Sequence, residues 1–296
     1  MDSAKIVRLQ GGGTDSAPQD FVRVTGKILD VYKSDLAPSG SLVFQFPEDP
    51  MSNGATGFRE GDVVLLFLSK GNSVYELANP YIGRIPFSRL DPVPGNPGFD
   101  KLESALVLVL QRGNRADQIT ALEFLEGFDR VAPATMSAVS VLFSSADPRV
   151  ALAALTILLK TGTPASVARF AAYLETYKEE QPPIELFTAS GALSGVTDPA
   201  ARVDIERLSG DMHTDVRRAA MYALRHIASA KSAPVLIQRL DDPDRHVQYL
   251  AVITLAEIFD KSGDYGPNNE FFDKDPQQYI RRWKDWWNTE GKNMSQ

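Results

Sequence analysis

The chain has three histidines, His213, His226 and His246, and two of them keep acidic company. His213 lies in "DMHTD", between Asp211 and Asp215. His246 follows "DDPD", which supplies Asp241, Asp242 and Asp244. A mixed histidine and carboxylate set is chemistry that zinc uses. The spacing matches no fixed ligand pattern such as His-Glu-x-x-His, and aspartate is also a preferred helix cap. A second candidate is "DKSGDYGPNNEF". Asp260, Ser262 and Asp264 fall at the first, third and fifth positions of a calcium loop, but Gly266 comes one residue late and Glu270 one early. The neighbouring carboxylates Glu179–Glu180 and Asp241–Asp242 face different ways and do not suit paired acid–base work. No nucleophile elbow, phosphate loop, dinucleotide fingerprint or zinc-protease motif is present. The chain has no cysteine, which excludes thiol chemistry and disulfides. The residues therefore supply no catalytic set, no metal site and no cofactor site, and point to a non-enzymatic protein.

The charge balance narrows the partners. Net charge is −7 and the pI about 5.1. Nucleic acid needs a basic stripe that displaces counterions, and anionic lipid needs the same sign of charge. Both classes of partner are disfavoured by the acidic balance. The longest apolar runs, such as Ala105 to Leu110, fall far short of a membrane span. The absence of cysteine suits an oxidising space, so the compartment leans toward export with a leader trimmed before Met1, against a cytosolic alternative.

Two periods divide the chain. Between 20 and 87, "DFVRVTGKILDVYK", "SLVFQF", "DVVLLFLS", "SVYELAN" and "IGRIPF" are short β-branched or aromatic runs bounded by turn residues. "DLAPSGS" and "PEDPMSNGAT" are loops, and Gly61-Asp62 marks a tight turn. The first 19 residues, with Gly11 to Gly13, are a polar flexible tail. "SRLDPVPGNPGFD", residues 88–100, is a linker, because proline neither donates to a ladder nor continues a helix. From 101 onward the apolar period lengthens toward 3.6, as in "LESALVLVLQ" and "QITALEFLEGF".

A repeat governs that second part. Val247, Ala251 and Leu255 form a V-x3-A-x3-L frame, which returns at Val216, Ala220 and Leu224 and at Val150, Ala154 and Leu158. On a helix these positions share one face, and the alanine lets a neighbour approach. The intervals are 31 residues from 216 to 247 and 66 from 150 to 216. Anchors at Ile119, Ile184 and Ile280 complete a series at 31 to 34 residues. Asp147-Pro148, Asp242-Pro243 and Asp275-Pro276 each precede a helix, since aspartate caps the first turn and proline tolerates its first position. Thr214 and Asp215 are placed to cap the helix at Val216. Second helices are expected at 133–143, 164–177, 199–208 and 233–240. Helical pairs of this length stack into an α-solenoid.

The stretch "DMHTDVRRAAMYALRHIASAKSAPVLIQRLDDPDRHVQYLAVITLAEI" resembles two consecutive HEAT repeats, of the short alanine-rich variety related to phycobilin-lyase-type repeats. The resemblance implies an Asp/Arg ladder near the turns, matched by Asp215 and Arg217 and more loosely by Asp244 and Arg245. It implies a protein-binding or scaffolding role. At the other end, "VTGKILDVYKSD" and "FREGDVVLLFLSKGNSVYELANPYIGRIPF" resemble the small OB-type barrels of netrin-like and metalloproteinase-inhibitor-like modules. Those families are tied by cysteines that this chain lacks.

The resulting expectation is an α+β two-domain protein: a small N-terminal OB-like β-barrel over 20–87, the linker at 88–100, and a HEAT-like α-solenoid over 101–296 with an aromatic C-terminal cap. Its function is protein binding on the solenoid surface. The alternatives are a lyase-like enzyme or subunit by fold analogy, or a protease-inhibitor-like barrel on a scaffold. The surface of the second helices nominates Arg169, Tyr173, Arg202, Glu206, Gln238 and Arg239 as contacts. All three tryptophans lie in the aromatic end, where Ile280, Trp283 and Trp287 share a face. Trp286 points elsewhere and joins the interface candidates, tryptophan being common at hot spots.

Overall fold

The computed structural model describes residues 3–7, 21–28, 40–47, 64–66, 68–70, 75–77, 84–86, 99–128 and 130–294. Within the expected flexible tail over 1–19, Ser3–Val7 form a strand; the rest of the tail with its glycines, most of the two turn-rich loops, the turn at Gly61-Asp62 and the linker up to residue 98 lie outside these residues. The chain divides into two compact units, Met1–Val139 and Ser140–Gln296.

In the first unit the strands are β1 (Ser3–Val7), β2 (Phe21–Ile28), β3 (Gly40–Pro47), β4 (Val64–Leu66), β5 (Leu68–Lys70), β6 (Tyr75–Leu77) and β7 (Arg84–Pro86). The expected OB-like barrel, and with it the α+β description, is corrected here. Five strands pair in the order β1-β2-β3-β6-β5, while β4 and β7 pair only with each other. A barrel needs its first and last strands to pair so that no edge remains. Among the described residues β1 and β5 remain as two ends, and four of the seven strands are only three residues long. From Phe99 onward the described elements are helices. The fold is that of a helical solenoid, and the inhibitor-like alternative loses its barrel.

Helices α1 (Phe99–Arg112) and α2 (Arg115–Glu126) form a hairpin. Its corner requires Gly113, because a Cβ there would lie 2.5 Å from the Val109 carbonyl oxygen. Asn114 caps α2, accepting from the Ala116 and Asp117 amides. The buried Glu103 carboxylate accepts the Ala132 amide at 2.6 Å, just ahead of α3 (Pro133–Val141).

The second unit carries the repeat. Its first helices are α4 (Pro148–Leu159), α6 (Ile184–Ser194), α8 (Thr214–Ile227), α10 (Arg245–Ile258) and α12 (Pro276–Trp286). Each packs against the next. Its second helices are α5 (Pro164–Thr176), α7 (Arg202–Leu208) and α9 (Ala233–Arg239), with a 3-10 turn at Pro199–Ala201 leading into α7. Helix α5 packs on α4 and α7, α7 on α8, and α9 on α10. Short helices α11 (Asn269–Lys274) and α13 (Lys292–Met294) flank α12.

The alanine-centred frame is the packing face. Val216, Ala220, Leu224, Val247, Ala251 and Leu255 are all fully buried. Two details differ from the frame read in the sequence. On α4 the last position shifts by one, so that Leu159 is buried where Leu158 is not. On α6 the whole frame slips: Ile184 is 69% exposed, and Glu185, Ala189 and Leu193 take the buried positions. A glutamate can occupy an anchor because Arg149 of the preceding pair meets it at 2.6 Å.

The caps follow the sequence except at α8 and α10. Asp147, Asp198 and Asp275 accept amides of their own first turns. Asp244, not Asp242, caps α10, accepting from Val247 at 3.0 Å. Thr214 and Asp215 do not cap α8, whose N-cap position is His213. At its far end α8 stops on Ala228, held in the left-handed region at φ 49.

At the C-terminus Trp283 and Trp286 are buried and meet edge to face at 5.1 Å. Their indole nitrogens donate to the Tyr265 carbonyl and to the Glu290 carboxylate. Gly291 is required here, since a Cβ would lie 2.6 Å from the Trp286 ring.

Two stability predictions follow. Leu255→Ala empties a fully buried site and is expected to cost about 2–5 kcal/mol in urea unfolding, whereas Ile184→Ala is expected to cost under about 0.5 kcal/mol. Ala228→Gly removes the left-handed penalty and is expected to raise stability by about 1 kcal/mol in the same measurement.

Candidate functional site

The turns between successive pairs bring the polar residues together. Arg217 on α8 is 8% exposed and Asp242, in the next turn, 4%. Arg217 Nε donates to Asp242 Oδ2 at 2.9 Å, and its second arm to Oδ1 at 3.1 Å. The third guanidinium nitrogen donates to the Asp211 and Met212 carbonyls at 3.0 Å. One arginine thus ties its own turn to the following one. Beside it, Arg218 makes a two-armed contact with Asp244 at 3.0 and 2.6 Å. This hydrogen bond to Arg218 is the largest of the effects that hold the Asp244 carboxyl below its ordinary value. Arg149–Glu185, Arg207–Glu175, Arg225–Glu257, Arg245–Asp273 and Lys284–Asp241 extend the same pattern from pair to pair. The ladder implied by the family resemblance is present. Arg217 is its buried rung as expected, but the acid that answers it is Asp242 and not Asp215.

The histidines serve the same turns. His213 is buried, with Nδ1 at 2.8 Å from Asp211 and Nε2 at 2.8 Å from the Glu179 carbonyl. Both partners are acceptors, so both contacts are hydrogen bonds only on the doubly protonated ring. His246 meets the Tyr222 hydroxyl at 2.8 Å. The two rings hold different partners, and among the described residues no group of three or more His, Cys, Asp or Glu side chains could hold a metal ion. At "DKSGDYGPNNEF", Arg282 donates to the Asp264 carbonyl, and the Lys261 ammonium sits over the rings of Tyr265 and Trp286.

The nominated contact residues fall in different settings. Arg169 is exposed and lies over the Phe143 ring at 5.4 Å. Tyr173 is half-buried and stacks on Tyr177 at 5.6 Å. Arg202 and Glu206 pair with each other at 2.5 Å. Gln238 is exposed. Arg239 is half-buried and donates to the Ser209 carbonyl at 3.1 Å, while its Nε is buried with no partner. Trp286 is 3% exposed, against Phe259 and Trp283.

Sequence reasoning missed a feature on the pair α6–α7, the third in the series of anchors that begins at Ile119. Eight large hydrophobic side chains are exposed among the described residues, and four of them, Ile184, Phe187, Val203 and Met212, fall between 184 and 212. The slipped frame of α6 is the cause, since it turns Ile184 and Phe187 outward. Between 178 and 215 the sequence has eight carboxylates and three Lys or Arg residues. The signal available was the glutamate after Ile184, which breaks the apolar frame.

Asp242→Ala leaves a buried guanidinium without its carboxylate and is expected to cost about 3–5 kcal/mol in chemical denaturation. The Asp244 pair is more exposed and contributes under about 1 kcal/mol. Because the folded carboxyl titrates below its unfolded value of 3.8, that stability is present above pH 4 and lost as pH falls through the lowered value. Asp244→Asn is expected to abolish this part of the acid dependence, measured as melting temperature against pH.

The family model for HEAT repeats matches residues 203–283. No curated protein sequence matches the chain. Among solved structures the chain is similar to one of the complex of CpcE and CpcF of phycocyanin lyase from a Nostoc species, at 18% identity and a TM-score of 0.43. That match covers 59% of this chain and 71% of the other. An engineered protein is similar at 18% identity and a TM-score of 0.41, over 62% of this chain and 96% of the other.

Proposed function

We propose that the chain is a non-enzymatic protein-binding scaffold whose docking surface centres on the third helical pair. One observation carries this reading: half of the exposed large hydrophobics among the described residues gather in α6, α7 and the turn that follows. Water-exposed apolar side chains clustered within a polar rim mark interaction sites more often than chance surface. The stack beneath is held by buried alanine-centred faces and ion-paired turns, so the surface is pre-ordered and loses little entropy on binding. Arg169, Tyr173 and Gln238 extend the candidate contacts on the second helices, which also carry the ion pairs Arg202–Glu206 and Arg207–Glu175. No described helix is long and apolar enough to cross a membrane. A lyase-like activity rests on analogy of fold, which is a weaker warrant than a site.

The test is affinity capture with the full chain, comparing wild type with Phe187→Glu and Val203→Glu. Both positions are exposed, so far-UV circular dichroism and melting temperature are expected to stay unchanged. A specific partner retained by wild type is expected to be lost from either variant, with about a tenfold or greater fall in affinity for a hot-spot position. Equal retention by all three chains removes the surface from consideration. Absorption changes on adding a linear tetrapyrrole would favour the lyase-like alternative.

A further inference from the structure

His213 joins two stretches of chain that lie 34 residues apart in sequence. Its ring is buried and stacks on Tyr177 at 5.8 Å. Nδ1 is 2.8 Å from Asp211 Oδ1, an oxygen that also accepts the His213 amide at 2.8 Å. The carboxylate is thereby held in place beside the ring. Nε2 is 2.8 Å from the carbonyl oxygen of Glu179, in the segment that leads from α5 through Pro182 and Pro183 into α6.

A ring nitrogen donates only when it carries a proton, and both of these face an acceptor. The charged ring satisfies both contacts. The neutral ring keeps one N–H, and a carboxylate holds that hydrogen better than a carbonyl does. The proton that leaves is then the one on Nε2, which sets a lone pair against the Glu179 oxygen. The charged and titratable groups around the ring are Asp211 in its own turn, Arg217 on α8, and Tyr177 and Glu179 from the segment after α5. Arg217 is answered by Asp242 through two hydrogen bonds. Burial is the main reason the Tyr173 phenol is pushed up to about 12, and burial also raises Tyr177. Neither phenol therefore changes charge where histidines ordinarily do.

We propose that His213 is a pH-operated clasp: the charged ring ties the α5–α6 segment to the turn before α8, and the neutral ring releases the Glu179 carbonyl while keeping Asp211. Histidine changes charge between about pH 5 and 8, so the clasp closes on the acid side and opens on the alkaline side. The released segment is the entry to α6, whose first turn carries the exposed Ile184 and Phe187. This inference goes beyond the protein-binding reading and needs no partner for its test.

The full chain, labelled with 15N and 13C, is followed by NMR from about pH 5.5 to about pH 8.5. Both ring nitrogens of His213 are expected to carry protons at the acid end, and Nε2 alone to lose its proton at the alkaline end. The Glu179 carbonyl 13C resonance is expected to move along the same curve. Glu179 and Glu180 are exposed, so a glutamate-specific protease can report on the segment. Its cleavage rate there, divided by that on a free peptide of residues 173–183 at each pH, is expected to rise about tenfold on opening, the worth of one charge-assisted hydrogen bond. His213→Gln offers a donor that does not titrate and is expected to flatten both responses. His226→Gln, at an exposed histidine of the same helix, is expected to leave them as in wild type. A ring that keeps both protons to the alkaline end, loss of the proton from Nδ1 instead, a Glu179 carbonyl that stays still, or a response that survives in His213→Gln would each overturn the proposal. The first three are read on the wild-type chain, so they decide the matter even where His213→Gln fails to fold.

Discussion

Asp242 sits almost fully buried between two helical pairs, and the guanidinium of Arg217 is what makes its charge tolerable there. A buried carboxylate without such a partner would cost several kcal/mol of desolvation, far more than an exposed ion pair gains. The contact adds little net stability over an apolar pair of the same volume, and its value lies in register. Arg217 also satisfies two carbonyls of its own turn. Sliding α10 along α8 by one helical turn would strand both charges at once. The apolar faces alone would tolerate such a slip better, because alanine, valine and leucine repeat along them.

Around that contact the ion pairs grade from buried to exposed. Arg149–Glu185 keeps a glutamate in a core position, whereas Arg225–Glu257 and Arg245–Asp273 lie in solvent and are worth little each. In a stack where each pair touches only its neighbours, such local rungs set how strongly one pair feels the next. The third pair differs most. Its anchor is Glu185 instead of a hydrophobe, and its displaced isoleucine and phenylalanine face outward.

Much of the helical part was legible because its signals are local. Asp-Pro starts, the alanine-centred frame and the 31-to-34-residue interval depend on nearest neighbours along one chain. The second helices at Pro164, Pro199 and Ala233 begin where the sequence places them. What escaped were choices decided across the gap between pairs. Nothing local tells Asp242 from Asp244 as the cap, because the deciding partner, Arg217, is 25 residues away. Ile184 reads as an anchor until Arg149 is seen to hold Glu185 in its place. The strands at 21–28, 40–47 and 84–86 were readable from their β-branched runs, but closure into a barrel depends on which edges meet, and alternation alone carries no such information. The outward turn of Ile184 and Phe187 belongs to the same class of long-range outcome.

The indoles have an optical consequence. All three tryptophans lie within 283–287, and Trp283 and Trp286 are in mutual contact. Their emission therefore reports on the C-terminal end of the stack, where they pack on Phe259 and Tyr265, and is blind to events around the third pair. In a linear array that frays from its ends, fluorescence would register the loosening of one terminus while ellipticity still counts the remaining helices as intact.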